Sequence, residues 1–120
     1  ILTLLDLERY TDTHISDLSY GLRKKIDLGR ALATEPQILL MDEPMAGMNS
    51  AEKHQMAELI NSIHITRKIP ILIIEHDIQI VMSLAHRITV LDWGQILATG
   101  SPDAIRRDPK VIAAYLGEEA

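Results

Sequence analysis

The chain has no cysteine and no phenylalanine, and only 3% of its residues are aromatic. Without thiols it can form neither a disulfide nor a thiolate metal site. Its core must then be aliphatic, and a hydrophobic content of 47% provides Ile, Leu, Val, Ala and Met to build one. A basic face is also lacking. With 12 Lys and Arg against 17 Asp and Glu, the net charge is −5, which argues against a nucleic-acid partner. No apolar run approaches the ~18 residues of a membrane span. There is no internal repeat and no low-complexity segment. Nowhere in the 120 residues is there a Gly-x-x-x-x-Gly-Lys-Ser/Thr stretch. Such a loop cradles phosphates with backbone N–H groups and supplies a lysine and a magnesium-binding hydroxyl. The length fits one domain or a little less.

The most informative segment present is Ile38-Leu39-Leu40-Met41-Asp42-Glu43-Pro44. Its apolar run has the length of a buried parallel strand. Pro44 lacks an N–H for the ladder and stops that strand. Asp42 and Glu43 are thereby left at the carboxyl end, where open α/β sheets hold their ligands. Two buried neighbouring carboxylates need a cation, a proton or a reacting group as compensation. The alternative is an ordinary strand whose acids face solvent.

Three further segments bear on that choice. Ser19 is a good N-cap for a helix over 19–34, with Leu22, Ile26, Gly29 and Ala33 on one face. The start of such a helix suits an anion, because its first N–H groups lack partners. After Pro44 comes a loop, Met45-Ala46-Gly47-Met48-Asn49. Further on, Ile71-Leu72-Ile73-Ile74-Glu75-His76-Asp77 repeats the plan of an apolar strand ending in polar residues, now with a histidine.

In this order and spacing, the segments resemble the ATP-binding subunits of ABC transporters. Leu18 to Leu22 is similar to the signature motif, Ile38 to Asp42 to the Walker B strand, and Ala46 to Asn49 to the D-loop. Glu43 matches the catalytic glutamate and His76 the switch histidine. Three positions depart from the general pattern: Tyr20 replaces a second glycine, Leu22 a glutamine and Asn49 an aspartate. Tyr20 and the Ala-Gly-Met-Asn loop resemble the branched-chain amino-acid importers, as does the tail from Asp108 to Glu119. The resemblance implies an α/β fold: the C-terminal part of a P-loop NTPase of the ABC ATPase type. It has parallel strands flanked by helices, then a short hairpin and helices. Residues 1–35 would end the helical subdomain with the signature, 36–100 form part of the catalytic core, and 101–120 form a helical tail. The whole subunit would have roughly 240–260 residues, with the phosphate-cradling half outside this chain.

The resemblance also implies roles. ATP and Mg2+ are the expected ligands. Asp42 would hold Mg2+ through water, Glu43 would orient or deprotonate the attacking water, and His76 would contact the γ-phosphate and hold Glu43. Ser19, Tyr20 and Gly21 would act at the ATP of a partner subunit, and Asn49 at the dimer interface. The expected partners are a second ATPase subunit, identical or different, and membrane permease subunits, with a periplasmic or extracellular binding protein acting indirectly. The expected place is cytoplasmic, peripheral on the inner face of the cell membrane. Two other functions stay open: a non-catalytic dimerisation or interaction module, and an ABC-type ATPase of DNA repair or translation.

The remaining pattern predicts helices over 1–9, from Asn49 or Ser50 to Ile65, and from Ile78 to Ala85, with strands at 37–42 and 70–75. Asp92-Trp93-Gly94-Gln95 reads as a hairpin turn. Ser101-Pro102 and Asp108-Pro109 read as helix starts. Strand–helix–strand alternation would bring Asp42, Glu43 and His76 to one sheet edge. His14, His54, His64 and His86 read as structural or exposed, Met41, Met45 and Met48 as packing residues. Arg23, Lys24 and Lys25 read as a solvated helix face. Trp93 reads as either a partner contact or an anchor of its hairpin.

Overall fold

A computed structural model describes residues 1–117. Glu118 and Glu119, the end of the tail that resembles the importers, lie outside the described residues. The chain divides into two compact units, Ile1–His76 and Asp77–Ala120.

The first unit holds a parallel pair of strands, β1 (Leu39–Asp42) and β2 (Ile71–Ile74). Helices α1 (Tyr20–Leu32) and α2 (Ser50–Arg67) flank them in sequence, and α2 is the crossover that a parallel pair requires. The register pairs Leu39 with Ile71 and Asp42 with Ile74, so both strands leave the ladder at the same rung. Each helix starts where a polar side chain can take a first-turn N–H. Ser19 Oγ accepts from the Leu22 amide at 3.4 Å. Asn49 and Glu52 form a reciprocal box, with Asn49 Oδ1 accepting from the Glu52 amide and Glu52 Oε2 from the Asn49 amide, both at 2.9 Å. The buried face of α2 carries Met56, Ala57, Ile60 and Ile63. On α1 the buried residues are Leu28, Gly29 and Leu32, whereas Ala33 is exposed. The apolar stripe therefore runs beside the predicted one. The approach is close there, since a Cβ on Gly29 would stand 2.8 Å from Leu5 Cδ1.

Two expectations are corrected in this unit. Residues 1–9 are not a continuous helix. A single turn closes at Asp6, whose φ is 54°. The Asp6 amide bonds to Thr3 O and the Leu7 amide to Leu2 O, the pattern that ends a helix with a left-handed residue. A separate 3-10 turn follows at Glu8–Tyr10. The strands are also not buried on both faces. Leu39 is buried, but Leu40, Leu72 and Ile74 are 66%, 59% and 58% exposed. One face of the pair is covered and the other is open.

The second unit begins with α3 (Ile78–Leu84), capped by Asp77 Oδ1 on the Ile80 amide at 3.3 Å. An antiparallel hairpin follows, β3 (Ile88–Asp92) and β4 (Gln95–Gly100), with Asp92 opposite Gln95. Trp93 and Gly94 have φ of 48° and 77°, which makes the two-residue turn of the primed type. Trp93 is 97% exposed, so the anchoring alternative fails. Short helices α4 (Pro102–Arg107) and α5 (Pro109–Val111) start at the predicted caps Ser101 and Asp108, each with proline at its first position. A single π-helical turn, Ile112–Leu116, follows. Ile88, Ile105 and Val111 form the core of this unit. Among the described residues no helix is long and apolar enough to cross a membrane.

Candidate functional site

Asp42 is the last residue of β1, and Glu43 is the first beyond it. The Glu43 amide still bonds to Ile74 O at 2.8 Å, so the chain leaves the sheet only after Glu43 is aligned with β2. Glu43 then takes a φ of 46° and turns through Pro44 into a tight loop, closed by the Ala46 amide on Glu43 O at 3.1 Å. A left-handed glutamate is uncommon, and its neighbours must hold it there.

Across the edge, β2 ends at Ile74 and the chain continues through Glu75 to His76. With its proton on Nδ1, His76 donates to Glu43 Oε1 at 3.3 Å. Both side chains are mostly exposed, at 72% and 51%, so this is an open contact and not a buried ion pair. Asp42 is exposed as well, and among the described residues its carboxylate has no hydrogen-bond or ion-pair partner. The two acids thus face solvent instead of being buried with a counter-charge. Such an arrangement can position a water molecule and offer a hard oxygen ligand. No group of three or more His, Cys, Asp or Glu that could hold a metal ion occurs among the described residues. A magnesium ion takes one or two carboxylates together with phosphate oxygens and waters, and Asp42 fits as one such carboxylate.

Ser19, Tyr20, Gly21 and Asn49 form a second group. The Tyr20 hydroxyl donates to Ala46 O at 3.0 Å. A Cβ on Gly21 would lie 3.9 Å from Glu52 Oε1, so the start of α1 faces the first turn of α2. Asn49 is engaged in the cap of α2. Basic residues predicted as a solvated face are partly engaged: Arg23 Nε donates to Leu18 O at 3.0 Å, and Lys24 Nζ lies 5.4 Å from the Tyr20 ring centroid. Met45 and Met48 are buried, as packing residues should be. The histidines set aside have local partners. The His14 ring pairs with the Ser16 hydroxyl, and His54 and His64 donate to Ser50 O and Ile69 O.

Sequence reasoning missed Glu75. It is half-buried, and its carboxylate accepts from the Met45 amide at 3.0 Å and from the His76 amide at 3.3 Å. The signal was an acid placed directly before the histidine at a strand end.

With the parallel pair, its flanking helices and the carboxylate–histidine contact at its edge, the chain superposes on solved ABC ATPases, and its fold is that of an ABC ATPase domain. Residues 1–46 match the family model for ABC transporters, and residues 95–120 match that of the branched-chain amino acid ATP-binding cassette transporters. The chain is 40% identical over 114 residues to the high-affinity branched-chain amino acid transport ATP-binding protein LivG of Escherichia coli K12, covering 95% of this chain and 45% of that protein. It is 38% identical to BraF, the corresponding protein of Pseudomonas aeruginosa, with the same coverage. A solved ATP-binding cassette of an ABC transporter, in its ADP conformation, superposes with a TM-score of 0.83 at 35% identity, covering 98% of this chain and 47% of that one. The chain is thus a relative of the ATP-binding proteins of ABC transporters and spans about half the length of those it matches.

Proposed function

We propose that this chain is the C-terminal portion of the ATP-hydrolysing subunit of an ABC importer for branched-chain amino acids. The observation that carries the reading is the Glu43–His76 contact at the shared end of β1 and β2, with the unpartnered Asp42 carboxylate beside it. The substrate class rests on the match of residues 95–120 and on the printed names of LivG and BraF.

In this reading Glu43 orients the attacking water or takes its proton. His76 fixes the Glu43 carboxylate by its hydrogen bond and reaches the γ-phosphate. Asp42 would hold, through water, a Mg2+ ion, which would supply positive charge to offset that of the phosphates. Ser19, Tyr20 and Gly21, at the start of α1, meet the ATP of a second ATPase subunit, where the first-turn N–H groups favour an anion. Asn49 lies at the dimer interface between the two sites. Residues 1–35 serve as the signature segment, 36–100 as the catalytic part and 101–120 as the tail. The subunit docks on membrane permease subunits at the inner face of the cell membrane, supplied by a binding protein on the other side.

The missing Gly-x-x-x-x-Gly-Lys-Ser/Thr loop favours a second reading for the 120 residues on their own: a non-catalytic module. One experiment addresses both. ATP turnover is measured for the full-length subunit and for the 120-residue chain. The full-length subunit turns over, and Glu43→Gln lowers kcat about a hundredfold or more. The chain alone is inactive. Unchanged full-length turnover in Glu43→Gln would remove the catalytic role of Glu43. Turnover by the chain alone that Glu43→Gln abolishes would show that no phosphate-cradling half is needed.

A further inference from the structure

Two side chains hold the turn that carries Glu43. The first is Glu75, whose carboxylate reaches two loops at once. One oxygen accepts from the Met45 amide at 3.0 Å, and the other accepts from the His76 amide at 3.3 Å. Met45 is two residues beyond Glu43 in its turn, and His76 is the partner of Glu43. A single carboxylate therefore ties the turn that follows Glu43 to the segment that carries His76. The second is Tyr20, whose hydroxyl donates to Ala46 O at 3.0 Å. The Met45 N–H is held from the segment just beyond β2 and the neighbouring Ala46 carbonyl from the start of α1. Gly47, with φ of 78°, passes close to the Tyr20 ring, where a Cβ would stand 3.4 Å from Cε1.

This arrangement accounts for the backbone of Glu43. A left-handed non-glycine residue costs on the order of 1 kcal/mol or more and persists only where its surroundings over-determine it. Here three hydrogen bonds do so within a few residues: Met45 N–H to Glu75, Tyr20 O–H to Ala46 O, and Ala46 N–H to Glu43 O. An ionised carboxylate presents acceptors on both oxygens, which is what two amide donors need. Glutamine offers an acceptor on one side only.

We infer that Glu75 is a positioning residue for the Glu43–His76 pair, with Tyr20 as a second hold on the same turn. The pair is thereby set at contact distance before substrate arrives. The inference deepens the proposed function and rests on it.

The test measures kcat, KM for ATP with magnesium, and melting temperature on the full-length subunit, for Glu43→Gln, Glu75→Gln, Glu75→Ala and Tyr20→Phe. Misplacement of a reacting group costs rate, not ground-state binding. Glu75→Gln should lower kcat about tenfold with KM within about twofold, and Glu75→Ala should lower it further. Tyr20→Phe keeps the ring, loses the hydroxyl and should lower kcat by a smaller factor. Glu58→Gln, which removes an exposed acid from α2, should change neither constant. A purely structural role for Glu75 would lower the melting temperature and leave kcat intact well below it. That result, with Glu43→Gln inactive, overturns the inference and leaves the proposed function standing. If Glu43→Gln keeps its turnover, the proposed function falls and the inference with it. Amide hydrogen exchange gives a second readout: the Met45 and His76 amides should both exchange faster in Glu75→Ala. Acceleration of only one would overturn the two-loop hold.

Discussion

Trp93 and Glu43 adopt the same unusual backbone, with φ of 48° and 46°, for different reasons. Glu43 is tied down by the turn around it. Trp93 stands at the tip of a hairpin, 97% exposed, and forms the first half of a two-residue turn that Asn-Gly makes best. Its side chain contributes almost no packing to the isolated chain, so relieving the backbone should dominate. Trp93→Asn is expected to stabilise the fold by about 0.5–1 kcal/mol, seen as a higher urea midpoint at unchanged slope. A lower midpoint would mean that the indole makes contacts in solution that its exposure denies. The left-handed residues Asp6, Glu35, Glu43 and Lys68 are hidden from sequence reading for one reason: none is the glycine or asparagine that normally announces such a position.

Among the elements, what could be read in advance was local. Ser19, Asn49, Ser101 and Asp108 each start a helix, because a short polar side chain reaches its own first-turn amides. Pro44 and the apolar runs likewise located both strand ends, and with them the meeting of Glu43 and His76. The holds on the 43–47 turn were not legible, since Tyr20 and Glu75 lie 26 and 30 residues from the groups they bond. Nor was the open strand face, because apolar content cannot tell which face a neighbour will cover. Asn49 was assigned to an interface by resemblance, and its visible work is the cap of α2. Asn49→Ala removes one arm of a reciprocal box and should cost about 1 kcal/mol in chemical denaturation. Asn49→Asp keeps an acceptor and should recover most of that loss. If Asn49→Ala is neutral, the box is not maintained in solution.

For the molecule as a whole, the decisive property is the uncovered face of β1 and β2. Leu40 and Leu72 are opposite each other in the register, and Ile74 continues their row. Apolar patches of this kind on a sheet are unusual unless something covers them. The matched relatives are about twice as long as this chain. Leu72→Thr separates the two situations. In the 120-residue chain it should reduce binding of a hydrophobic dye and leave stability within about 0.5 kcal/mol. In a full-length subunit whose remaining half covers this face, the same change should cost about 2–4 kcal/mol, as for other truncations of a buried leucine. Equal effects in both proteins would show that the face stays open in each.

The common last rung of β1 and β2 has a further consequence for which changes in length the chain can absorb. Neighbouring residues of a strand are about 3.3 Å apart along its axis, a step as large as the 3.3 Å contact between His76 and Glu43. Adding or deleting one residue inside either strand would carry the histidine out of reach and reverse which face each side chain occupies. The α2 crossover carries no such constraint, because a whole extra turn leaves both strand ends level. Length variation compatible with the site is thus confined to the connection between the strands, which act as a two-sided ruler for the edge where Glu43 meets His76.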